Sequence, residues 1–229
     1  MSEWATYTLQ DFLLFSPRVY WRMFELHNQS VWPLQILALL LGAAILVWVV
    51  RPHPWSSRAI LAILAAAWMW VAWAFLWSRY STINWAAAYV APAFGFQALL
   101  LGWFAGVRGH VHFEVSRSVS GATGFMLLLY ALILHPFLAK LAGRPFAAAE
   151  VFGIAPDPTA IATLGLITMA SSRGWVRLLL IVPLAWCLVS WATLYTMGAP
   201  EAWIPLTSAA LAAASQLRPL RLGQSVRVP

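Results

Sequence analysis

Charge is scarce in this chain. Asp, Glu, Lys and Arg together make up 9% of its 229 residues, against about 25% in an ordinary soluble domain. That excludes a conventional water-covered globule. Cysteine is rarer still: Cys187 alone excludes an intramolecular disulfide and any cysteine-cluster metal site. No Asp, Glu or Arg lies in the middle of a clear apolar run, where ion-coupled carriers keep an ionisable group. A phosphate-cradling Gly-Lys loop, a Gly-x-Ser-x-Gly elbow and a His-Glu-x-x-His helix are also missing, so the expectation is a protein that is not an enzyme. Glu3 and Asp11 stand where a cleaved signal would carry basic residues, which leaves the first span as the expected insertion signal.

What the chain does have is apolar length. Hydrophobic residues reach 62%, tryptophan alone accounts for 15 positions, and mean hydropathy is +0.76. Runs near 20 residues recur at Val31–Val50, Ala59–Trp77, Trp85–Val107, Gly121–Ala142 and Trp175–Met197, each long enough for a transmembrane helix. Two shorter segments, Pro158–Ser172 and Pro200–Ala214, complete the count. The expected fold class is all-α: a polytopic membrane bundle of about seven transmembrane helices plus an amphipathic N-terminal interfacial helix. The expected domains are 1–30 for that N-terminal segment, 31–215 for the bundle and 216–229 for a basic tail.

The N-terminal helix follows from Ser16-Pro17, a cap residue followed by a first-position proline, and is expected to run to about Asn28. Asp11, Arg18, Arg22, Glu25 and Gln29 share one face, while Phe12, Leu13, Val19, Tyr20, Met23, Phe24 and Leu26 fill the remainder. Such a division suits a helix lying in the headgroup region; the alternative is a helix packed on the end of the bundle. With seven crossings, Arg51, Arg58, Arg108, Arg117, Arg173, Arg177, Arg218, Arg221 and Arg227 fall on one side, and the other five cations fall with the N-terminus. The positive-inside rule then puts the N-terminus in the periplasm and the C-terminus in the cytoplasm. The net charge of +7 is scattered among loops and forms no stripe, so nucleic acid is not an expected partner. The expected partners are membrane lipids and other membrane-protein subunits.

Between the apolar runs lies Gly143–Thr163, with Pro145, Pro156 and Pro158. Asp157 before Pro158 reads as a helix start, its carboxylate accepting from first-turn amides. In the competing reading, Asp157 and Glu150 form a substrate or ion site at a discontinuous helix. Glu150 could instead pair with Arg144 or Lys140. His135, inside an apolar run and followed by Pro136, needs a buried partner, either a neighbouring helix or a haem or pigment. His110, His112 and Glu114 alternate along an extended loop and are the candidate metal ligands. Trp70, Trp73 and Trp77 share a face that would pack on lipid, on other helices or on a pigment. No motif assigns a cofactor; bound lipid or pigment are the candidates.

Three blocks carry a family resemblance. Tyr20-Trp21-Arg22 with Phe24-Glu25, Asn28 and Val31-Trp32-Pro33 is the first. Ile83-Asn84-Trp85-Ala86 is the second. Phe152-Gly153 with Ala155-Pro156 and Pro158-Thr159 is the third. In this order they resemble the bacterial domain-of-unknown-function family 6064, whose members look like integral membrane proteins of about this length. The resemblance implies a bacterial inner (cytoplasmic) membrane protein and supplies no activity. The expected function is a non-catalytic accessory or scaffold subunit of a larger membrane complex, energy-converting or light-harvesting. The alternatives are a small transporter or channel using Glu150–Thr163, and a metal-handling protein using His110 and His112.

Overall fold

The computed structural model describes residues 14–106, 111–113, 115–170 and 174–217. Among the described residues every regular element is helical, with one isolated bridge between Phe113 and Ala170. The helices are α1 (Pro17–Ser30), α2 (Leu34–Val50), α3 (Ser56–Trp70, continued as a π-helix over Val71–Trp77), α4 (Ala86–Gly106), α5 (Val119–Leu129), α6 (Leu138–Leu141), α7 (Pro156–Met169), α8 (Ile181–Thr196, entered through a 3-10 turn at Trp175–Leu180) and α9 (Trp203–Leu217).

Among the described residues four continuous helical stretches are long and apolar enough to cross a membrane: Ser56–Thr82, Ala86–Gly106, Val119–Leu141 and Trp175–Thr196. A fifth is reached if α1 and α2, bent by 89° at their junction, count as one span. The seven crossings expected from the sequence are therefore not reproduced. The difference lies in α7 and α9, with 14 and 15 residues. For α7 the physical reason is plain: every one of its residues is buried. Packed against α3, α5, α8 and α9, it is solvated by protein along its whole length and needs no lipid-facing turn to satisfy its backbone.

Helix α7 is the axis of the bundle. Its packing on α5 is set by two glycines. A methyl group on Gly165 would lie 2.6 Å from the Gly124 carbonyl oxygen, and one on Gly124 would lie 2.4 Å from the Gly165 carbonyl oxygen. The two backbones touch there, as small residues allow between helices in membranes. By contrast Gly95 has no neighbour within 4 Å of its would-be methyl group. Two of the three hydroxyls of α7 bond to backbone one turn earlier: Thr159 donates to the Ala155 carbonyl at 2.7 Å and Thr163 to that of Thr159 at 2.8 Å, while the buried Thr168 hydroxyl has no partner. Thr163 also accepts from the indole of the fully buried Trp68 at 2.9 Å. The Thr159 and Thr163 hydroxyls are thus satisfied locally.

Helix α1 begins as its residues dictate, with Ser16 accepting from the Val19 amide at 3.4 Å and Pro17 in the first turn. Its apolar side, however, meets protein. Tyr20, Met23, Phe24 and His27 are buried, Phe24 lies 4.9 Å from Phe75 and Tyr20 5.8 Å from Tyr80, ring to ring. Val19 and Leu26 alone of the described apolar-face residues stay exposed. The helix lies across one end of the bundle and pins the central loop: the Asn28 side-chain amide donates to the carbonyls of both Ala147 and Ala149 at 2.8 Å. Asn28→Ala should remove both bonds and cost about 1–3 kcal/mol. The expected readout is faster proteolysis within 143–155, and Asn28→Asp should behave the same way because a carboxylate cannot donate.

Candidate functional site

The π-helical and 3-10 turns that end the α5 span have a local cause. Pro136 has no amide to give to Leu132, and its ring crowds the preceding turn. The chain relaxes through a π segment at Tyr130–Leu134 and a 3-10 turn at His135–Phe137. That distortion sets His135 and Tyr130 against each other, edge to face at 5.6 Å between ring centroids. Such π segments are frequent at functional sites.

Opposite His135 comes Glu150 from the central loop. Both are buried, and His135 Nε2 lies 3.9 Å from Glu150 Oε2. This is close enough for attraction between charges and too long for a hydrogen bond. Neither imidazole nitrogen, nor Glu150 Oε2, nor the Tyr130 hydroxyl has a hydrogen-bond partner. The pairing of Glu150 with Arg144 or Lys140 expected from the sequence does not occur. Arg144 instead pairs with Glu201 beside the start of α9 and stacks on Trp21 of α1, its guanidinium 3.3 Å from the ring centroid. Planar Arg suits both contacts at once.

Asp157 completes the cluster, and its place corrects the capping expectation. Ala155 is the N-cap and Asp157 is the second residue of α7; no side chain caps the helix. The first four amides of a helix need partners. Here Pro156 and Pro158 have none to offer, and the Ala155 amide donates to the Val151 carbonyl at 2.9 Å. A carboxylate cap is superfluous. Asp157 turns towards α8 instead, where Trp186 Nε1 donates to Oδ1 at 2.7 Å and Ser190 Oγ donates to Oδ2 at 2.6 Å. Trp186 and Ser190 are four residues apart and therefore share a helix face. Burial first, and the nearby Glu150 carboxyl second, push the Asp157 carboxyl up to about 7, against the opposing pull of Ser190, His135 and Trp186.

Of the residues selected from sequence, His135 and Glu150 are thus brought face to face, and Asp157 is buried within electrostatic reach of both. The metal expectation has a different outcome. His110 and Glu114 lie outside the described residues, and His112 is exposed. Among the described residues no group of three or more His, Cys, Asp and Glu side chains could hold a metal ion. Sequence reasoning missed Tyr130, Trp186, Ser190 and the Arg144–Glu201 pair. Two signals were available: a proline six residues after Tyr130, and an indole and a hydroxyl at helical spacing on the α8 run. The Arg144–Glu201 pair has no signal, because it is set by a chain crossing.

A family of unknown function, DUF6064, has a model that matches residues 17–226. The chain belongs to that family. No curated protein matches it, and no solved structure does.

Proposed function

We propose that this DUF6064 protein is a small membrane carrier or channel that moves protons or small cations, with Glu150, Asp157 and His135 as its exchange site. One observation carries the reading: His135 and Glu150, from separate segments, are buried facing each other with polar atoms left unbonded, and Asp157 is buried within electrostatic reach of both. Burying charge is unfavourable unless it is paired, and ionisable groups enclosed in a membrane bundle usually mark ion or proton pathways. A buried carboxyl that titrates near neutrality can load and release a proton at working pH. The donor-poor start of α7 argues against an anionic substrate, because the helix end keeps only the Asp157 amide free of the four. The protein would sit in a bacterial inner membrane, with its apolar helices crossing the bilayer.

The test is flux. Purified protein in liposomes holding a pH-sensitive dye is given a potassium-diffusion potential with valinomycin. Wild type should acidify or alkalinise the lumen faster than empty vesicles. Glu150→Gln should slow it at least tenfold, about 1.4 kcal/mol of barrier or more. Equal flux in wild-type and empty vesicles, for protons and for sodium or potassium, would discard the proposal.

A second reading, the accessory subunit, is favoured by a groove of about 740 Å³ between α5 and α9, lined by Met126, Ile133, Leu134, Ile204 and Leu211. A partner helix would bury such a surface. Extraction from native membranes in mild detergent separates the two: a large particle with co-purifying subunits supports this reading, and a particle of this polypeptide alone removes it.

A further inference from the structure

The junction of α1 with the turn after α3 holds a second feature of the bundle, distant in chemistry from the buried acids. A groove of about 640 Å³ runs between α1 and the turn at residues 78–83. Arg18, Arg22 and Arg79 line it, with Val19, Trp21, Met23, Leu26 and Ile83 forming apolar walls. One acid, Glu25, also lines it, and that carboxylate is held by Arg22 in an ion pair. Among the described residues Arg18 and Arg79 have no acidic partner, so the described lining carries an excess of positive charge over a largely apolar floor. Arg79 is half-buried.

The level of this groove along the bundle is marked by its neighbours in the chain. Trp77 and Trp85, on either side of the turn, are 51% and 65% exposed. Exposed indoles at helix ends settle at the headgroup depth of a bilayer. Helix α1 lies at a right angle to α2, as a helix at that depth would. Guanidinium groups bind phosphate in a bidentate fork, while the apolar walls suit the glycerol and first methylenes of a lipid chain. Free phosphate would gain nothing from those walls. We propose that this groove is a binding site for an anionic phospholipid, with Arg18 and Arg79 on the phosphate and Trp21, Val19, Leu26 and Ile83 along the acyl chain. Bound there, the lipid would brace α1 against the bundle end.

The probe is dioleoyl phosphatidylglycerol, with dioleoyl phosphatidylcholine as the zwitterionic control, added to the purified full-length protein in detergent and followed by native mass spectrometry. Wild type should retain the anionic lipid preferentially. Arg18→Gln with Arg79→Gln should weaken retention by about thirty-fold, the effect of two arginines near an anionic surface. Arg18→Lys with Arg79→Lys should retain most of the binding and show that the site is folded. Arg51→Gln with Arg58→Gln removes the same charge from the opposite end and should change nothing. Equal retention of both lipids, equal loss in the Arg51 and Arg58 variant, or full displacement by millimolar inorganic phosphate would each overturn the proposal.

Discussion

Gly165→Ala is expected to abolish accumulation of folded protein, and Gly124→Ala to do nearly the same. At each position the added methyl group would sit within 3.0 Å of backbone on the partner helix: 2.6 Å from the Gly124 oxygen and 2.8 Å from the Leu128 amide nitrogen in one case, 2.4 Å from the Gly165 oxygen in the other. Backbone cannot rotate aside as a side-chain end can. Either α5 and α7 separate, or α7 shifts against α3, α8 and α9, which enclose it. Overpacking of this kind typically destabilises by about 1–3 kcal/mol and more where nothing yields. Gly95→Ala is the matched control: the same chemical change, inside a helix, with no atom within 4 Å. It should be neutral or stabilise by up to about 1 kcal/mol through helix propensity. Monodispersity in detergent and thermal melting decide the matter. If Gly165→Ala melts like Gly95→Ala, the α5–α7 crossing is not the close contact described.

Asp157 carries the second large effect. Asp157→Ala strands the Trp186 indole N–H and the Ser190 hydroxyl in a dry site, each at about 1–3 kcal/mol, and should lower the melting temperature sharply. Asp157→Asn keeps the shape and an acceptor for Trp186, so it should fold. The asparagine variant also isolates the titration. A carboxyl whose folded pKa is about 7, above the roughly 3.9 of an unfolded Asp, favours the folded state only while both forms are protonated. As pH rises from about 4 the unfolded chain loses its proton first, and folding stability falls until about pH 7, then levels. The loss is on the order of a few kcal/mol at 1.36 per unit. Relative to Asp157→Asn, wild type should therefore lose melting temperature between about pH 4 and 7. Parallel profiles across that window would remove Asp157 as the titrating group. In the liposome assay the same variant should lose flux while remaining folded, which separates a transport role from a structural one.

Glu150 shows why the accessory-subunit expectation moved to second place. In the sequence it lies in a loop, and no acid occupies the middle of an apolar run, so an ion site at Glu150 and Asp157 stood as the alternative reading. In three dimensions the loop folds inward under α1, and Asn28 and Arg144 hold it there. An acid that is a loop residue by sequence becomes a buried residue facing His135.

Several features follow from local chemistry and were legible without coordinates. Apolar run length identified the helices, since a backbone in an apolar setting must bond to itself. Ser16-Pro17 placed the start of α1, and the prolines of the central stretch marked it as the organising segment. His135 stood out as a polar group inside an apolar run, and Glu150 and Asp157 as the acids of the stretch between runs. Other features needed the fold. Asp157 looked like a cap because capping is decided within one turn, but Pro156, Pro158 and the Ala155–Val151 bond had already removed the need. Whether α7 crosses lipid or is enclosed by protein depends on which helices surround it, and its composition is the same either way. The contact of Gly124 with Gly165, the choice of Glu201 over Glu150 by Arg144, and the reach of Trp186 and Ser190 to Asp157 all join residues distant in the chain. Such pairings are selected by helix crossings, and a crossing is a property of two surfaces that no single stretch of sequence contains.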